Sequence, residues 1–173
     1  MRKLIVAAAL LSGSSAASAD VANLTVNTFI VHHVVELDMA PGEAFAKFAK
    51  LPRWWNPEHT YSGSTSNLRL KLRAGGCLCE RLPDGGSVEH MRVSLVQPGE
   101  RLVLTGALGP LLFQGVAGVM DVQFQKTSHA TLVTMDYRVA GFAYGNAEKI
   151  APLVDKVLGE QMARYAAFAR KAP

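Results

Sequence analysis

From residue 68 onward, apolar and polar positions alternate with a period of two, and the alternation breaks at clusters of Gly, Pro and Asp. That is the pattern of half-buried strands joined by turns. It predicts strands over 68–73, 77–82, 87–96, 101–105, 115–125 and 130–139. A run over 28–37, rich in Val, Ile, Phe and Thr, adds a strand ahead of them. Between that strand and residue 68 the pattern is helical. Pro41 opens a stretch with Phe45, Phe48 and Ala49 on one side, and Leu51 to Asn56 makes a second short helix or turn, stopped by Pro57. The last element is a helix over 152–169, whose residues Val154, Val157, Leu158, Met162, Tyr165 and Phe168 recur every three or four positions.

One strand, two short helices, six strands and a long terminal helix form an α+β order. A curved antiparallel sheet that grips one long helix leaves a gap that two short helices do not fill, and such a gap is an apolar ligand cavity. Local residues accompany this order: Leu37-Asp38-Met39-Ala40-Pro41 at the strand-to-helix junction, Trp54-Trp55, Gly75-Gly76 and Gln97-Pro98-Gly99-Glu100-Arg101. With them the chain resembles the helix-grip fold of the START/SRPBCC superfamily over nearly all of 20–173. His59-Thr60-Tyr61-Ser62-Gly63, Cys77-Leu78-Cys79-Glu80, Val88-Glu89-His90-Met91 and Leu108-Gly109-Pro110 look like an exported, poorly characterised branch, polyketide cyclase/dehydrase-like in kind. The resemblance implies about seven antiparallel strands around a long C-terminal helix. It fixes no activity, because the same superfamily holds binders, lipid-transfer domains and enzymes.

The N-terminus reads as an address. Met1-Arg2-Lys3 is basic, Leu4 to Leu11 is apolar, and Ala17-Ser18-Ala19 precedes Asp20 as a small-x-small cleavage site. The expectation is a signal peptide over 1–19, cleaved near Ala19, and a single domain over 20–173 in the periplasm or outside the cell. The apolar run is far short of the ~20 residues of a spanning helix, so no transmembrane segment is expected. Hydrophobic residues at 49% against 18% charged exclude a disordered chain. The net charge of +4 includes Arg2 and Lys3 of the leader, and no Lys/Arg block occurs, so no nucleic-acid partner is expected. Walker and Rossmann glycine patterns, G-x-S-x-G and H-E-x-x-H are all missing from the sequence.

The hairpin at Pro83-Asp84-Gly85-Gly86 carries the candidate chemistry. A tight turn centred on Asp84-Gly85 places Leu82 opposite Ser87, Glu80 opposite Glu89, Cys79 opposite His90 and Leu78 opposite Met91. Alternation then puts Cys77, Cys79, His90 and Arg92 on one face, and Leu78, Glu80, Glu89, Met91, Val93 and Leu95 on the other, the cavity side. Cys77, Cys79 and His90 on one face are two thiolates and an imidazole suited to Zn or Cu(I). The same cysteines also read as a Cys77–Cys79 disulfide or as plain thiols. Glu80 opposite Glu89 on an apolar face is an acid–base pair, or a hydrated pair matched by a nearby Arg.

His33 faces inward with Val31, Val35 and Leu37, either as a third acid–base candidate or as a hydrogen-bonded core residue. Trp54, Trp55, Tyr61, Phe113, Met120 and Tyr137 are the expected ligand contacts, with the apolar segment 108–113 as a lid or a packed loop. Together these predict an exported binder of a small hydrophobic or lipid-like molecule, needing no cofactor. The alternatives are a cyclase or dehydratase using Glu80, Glu89 or His33, and a metal protein using the Cys-x-Cys/His face. The sequence leaves the oligomeric state open.

Overall fold

The computed structural model describes residues 18–171. Eight strands form one sheet: β1 (Ser18–Ala22), β2 (Thr28–Leu37), β3 (Leu68–Leu70), β4 (Cys77–Arg81), β5 (Ser87–Gln97), β6 (Arg101–Thr105), β7 (Ala117–Lys126) and β8 (Thr131–Ala140). Their order is β1-β2-β8-β7-β6-β5-β4-β3, and every neighbouring pair is antiparallel. β1 is the strand by which the sheet exceeds the expected number. It takes in Ser18 and Ala19 at the end of the expected leader, while 1–17 lie outside the described residues.

Helix α1 (Pro41–Ala49) follows β2, with Pro41 in the first turn, where its missing N–H removes no helical bond. Helix α2 (Ala147–Ala169) starts earlier than its apolar stripe predicts. Pro152 stands inside it rather than at its start, on the exposed side, and the carbonyl that its missing N–H leaves without a helical partner belongs to the exposed Glu148. The Lys47 ammonium of α1 donates to the carbonyls of Ala169 (2.8 Å) and Lys171 (3.0 Å), satisfying the C-terminal end of α2. Among the described residues no helix is long and apolar enough to cross a membrane.

α2 lies across the sheet, and this is the helix-grip arrangement. Strict alternation in β2 and β8 sends Phe29, Val31, Leu37, Val133, Met135 and Val139 against Leu158, Met162 and Tyr165 of the helix. An aromatic cluster closes the α1 end: the Phe48 ring contacts the rings of Trp54, Phe124 and Tyr165, and the buried Tyr165 hydroxyl donates to the Ala44 carbonyl at 2.8 Å. Between the N-terminal half of α2 and the sheet, over Leu68, Leu78, His90 and Tyr137, a cavity remains.

The β4–β5 hairpin departs from the predicted register. The Asp84-Gly85 turn forms, with both residues at positive φ. Pro83, however, has no N–H to give to the Gly86 carbonyl, and the Leu82 N–H takes that carbonyl instead, at 2.8 Å. The ladder therefore slips by one residue: Arg81 pairs with Ser87, Glu80 with Val88 and Cys79 with Glu89. A β-bulge between Leu78 and Cys79 absorbs the slip, and beyond it Leu78 faces Met91 as the sequence predicts. His90 is the extra residue of the bulge, and it turns inward beside Met91.

Candidate functional site

The cavity has a volume of about 430 Å³, within the ~300–1,000 Å³ common for small-molecule sites. Its floor is Leu68, Leu78, His90 and Tyr137 of the sheet, and its roof is Val154, Val157 and Leu158 of α2. The segment from Leu108 to Gln114 and the segment from Trp55 to Tyr61 close its sides. Tyr61, Leu153 and Phe113 stand at the opening, with Phe113 74% exposed.

Polar tethers fix the two side segments. The Asn56 N–H donates to Gln161 Oε1 at 2.9 Å, and its side-chain amide donates to Glu160. Arg164 Nε reaches the Trp54 carbonyl at 2.9 Å, so three α2 residues hold the Trp54–Asn56 turn. The Tyr137 hydroxyl donates to the Gly106 carbonyl (3.0 Å) and accepts from the Leu108 N–H (2.9 Å), anchoring the start of the other segment. Burial pushes that phenol up to about 12. Its oxygen is used in both directions, so Tyr137 offers a ligand its ring and not its hydroxyl.

Beneath the cavity lies one polar cluster. The Glu80 carboxylate is fully buried and accepts from the Ser62 N–H (2.6 Å), the Tyr61 N–H (3.1 Å) and His90 Nε2 (2.8 Å). Burial alone would raise this carboxyl; the hydrogen bonds from Ser62, Tyr61 and His90 together outweigh it and hold the group below the ordinary carboxylate range. The Tyr61 ring stacks on the His90 ring, centroids 5.6 Å apart. The bulge thus creates a carboxylate–imidazole couple facing an apolar space.

Several sequence-based expectations are corrected by this geometry. Glu89 does not face Glu80: the slipped register turns it outward, where it accepts from Arg92 at 2.6 Å. His90 does not share a face with Cys77 and Cys79, because the bulge reverses its direction, and the two cysteines are joined to each other as a disulfide. That linkage leaves no thiolate to ligate a metal, so the three expected ligands are not brought together. Of the six expected ligand contacts, Trp55, Tyr61, Phe113 and Tyr137 border the cavity. Trp54 packs in the aromatic cluster with its Nε1 donating to the Phe48 carbonyl at 3.0 Å, and Met120 is buried in the core. The alternating and helical patterns contain Leu78, Val154 and Val157 as inward positions, but alternation does not mark His90 as one of them; the only signal is Pro83, whose missing N–H shifts the hairpin.

His33 is fully buried, away from the cavity, under Gly159 of α2 and 3.2 Å from the Asp155 carboxylate. Burial, the largest influence, depresses its basicity; Asp155 opposes it and His32 adds to it. A base depressed in the folded state takes its proton more readily when unfolded, so stability falls as pH drops through the ordinary value of 6.5 and levels off below the folded one. Thermal unfolding of His33→Leu is expected to lose that leg of the pH profile. An unchanged pH profile would show that His33 is not the group responsible.

The sequence matches no family model and no curated protein. Solved structures do match in fold. An uncharacterised protein from Rhizobium leguminosarum superposes with a TM-score of 0.58 at 19% identity, over 84% of this chain and 97% of that one. A protein from Arthrobacter aurescens, solved by NMR, gives 0.58 at 16% identity, over 90% and 92%. The di-domain ARO/CYC StfQ from the steffimycin biosynthetic pathway gives 0.53 at 13% identity, over 83% of this chain and 51% of StfQ.

Proposed function

We propose that the chain binds one small hydrophobic or lipid-like molecule in the cavity between the sheet and α2, and that it does so as an exported protein. The observation that carries this reading is a space of about 430 Å³ bordered mainly by Leu, Val, Ile and aromatic side chains and held open by tethers on its two side segments. At the packing density of a protein interior, such a space accommodates roughly fifteen non-hydrogen atoms. Burying an apolar molecule of that size contributes about 25 cal/mol per Å² removed from water, and the preformed shape keeps the ordering cost small. The fold shared with StfQ is compatible with a ligand-binding helix-grip domain. The carboxylate–imidazole couple favours one second reading, acid–base chemistry on the bound molecule, which differs by requiring turnover.

N-phenyl-1-naphthylamine, neutral and of fitting size, is expected to bind one to one with a rise in its fluorescence. Val157→Trp, which fills the roof of the cavity, is expected to abolish the rise while leaving the far-UV circular dichroism unchanged. Binding that survives Val157→Trp would place the probe elsewhere and remove this reading.

A further inference from the structure

Glu80 and His90 carry more organisation than the wall of an apolar cavity requires. A buried carboxylate is costly unless donors surround it, and here two backbone N–H groups and one imidazole N–H do so. An ionised carboxylate only accepts, so the ring nitrogen facing it, Nε2, carries the hydrogen. In the neutral imidazole the other nitrogen, Nδ1, is then an acceptor. Among the described residues Nδ1 has no hydrogen-bond partner, and His90 forms part of the cavity floor. Stacking by Tyr61 fixes the plane of the ring, and Glu80 fixes its tautomer. The neighbouring polar group on the floor, the Tyr137 hydroxyl, is already bonded in both directions.

We propose that His90 Nδ1 is the specificity-determining group of the cavity, accepting a hydrogen bond from a hydroxyl of the bound molecule. The cavity then selects apolar compounds that carry an alcohol or phenol O–H over compounds of the same shape that lack it. This rests on the reading that the cavity binds an apolar molecule. The selection arises because a ligand without the hydroxyl covers Nδ1 and leaves a buried acceptor unpaired. A purely apolar site would rank the two compounds in the opposite order, since the methyl compound gains more by leaving water.

The test compares 2-naphthol with 2-methylnaphthalene, equal in shape, by calorimetric or fluorescence titration of the full chain. The expected result is binding of 2-naphthol at least about tenfold tighter, with the order reversed in His90→Phe, which keeps a ring and removes the acceptor. A measurement on the wild-type protein stands independently of that variant's folding. The ¹⁵N signal of His90 Nδ1 is expected to be of the unprotonated type and to shift on addition of 2-naphthol but not of 2-methylnaphthalene. Equal or tighter binding of 2-methylnaphthalene to wild type would overturn the inference and leave the cavity reading intact. So would a hydroxyl preference that survives in His90→Phe, or a His90 signal indifferent to 2-naphthol. Failure of both compounds to bind would overturn the inference and the cavity reading together.

Discussion

Replacing Glu80 with alanine is expected to lower the unfolding free energy by about 3–5 kcal/mol, a fall of roughly 10 °C in Tm for a chain of this size. The loss exceeds that of an ordinary surface carboxylate because three donors lose their acceptor at once. The Ser62 and Tyr61 N–H groups and His90 Nε2 all point at Glu80, and unpaired donors away from water carry their full desolvation cost. Glu80→Gln keeps the shape and one acceptor oxygen, so its loss is smaller. The sign of the pH effect follows from the depressed carboxyl. Its contribution is complete above the unfolded value of 4.5 and disappears as pH falls through the lower folded value, because the unfolded chain binds the proton first. Thermal unfolding between pH 7 and pH 3 is expected to show a steeper acid decline in wild type than in Glu80→Gln. Parallel profiles would mean that the buried carboxylate is not the group so stabilised.

Gly118→Ala is the second large loss, about 2–3 kcal/mol. A Cβ at residue 118 would lie 2.5 Å from the Gly106 carbonyl oxygen and 2.7 Å from both the Tyr137 hydroxyl and its ring. The carbonyl is backbone, tied in place because the Gly106 N–H donates to the Gly118 carbonyl at 2.9 Å, so it has nowhere to go. What gives way is the Tyr137 clasp on Gly106 and Leu108, and with it the segment that closes one side of the cavity. Loss of affinity for N-phenyl-1-naphthylamine is therefore expected alongside the lower Tm. A Gly118→Ala protein with unchanged Tm and affinity would show that neither the close approach nor the clasp has the importance assigned to it.

The parts of this molecule that the sequence makes legible are those governed by periodicity. β2 and β8 alternate cleanly because α2 covers one face and water the other, and the apolar stripe of α2 marks the residues that roof the cavity. Short or irregular features are less legible. β1 is too brief a run to be distinguished, and Pro152 reads as a helix start although the helix begins upstream of it. The candidate site turns on a single missing N–H. Pro83 shifts the hairpin by one residue, the bulge restores it, and His90 exchanges one face of the sheet for the other. Alternation cannot express that change, so it assigns Glu89 to the interior and His90 to the cysteines. The absence of an N–H at a residue flanking a tight turn was the one available signal.

A small apolar molecule is expected to occupy the space under Val154, Val157 and Leu158. This occupancy is tested most directly by methyl NMR of the labelled protein during titration with N-phenyl-1-naphthylamine. The methyl signals of Leu78, Leu111, Val154, Val157 and Leu158 are expected to move together and saturate at one equivalent, while those of Leu102 and Val122, buried in the core away from the cavity, stay in place. Shifts confined to Leu112 and other exposed groups, or no saturable shift at all, would contradict it.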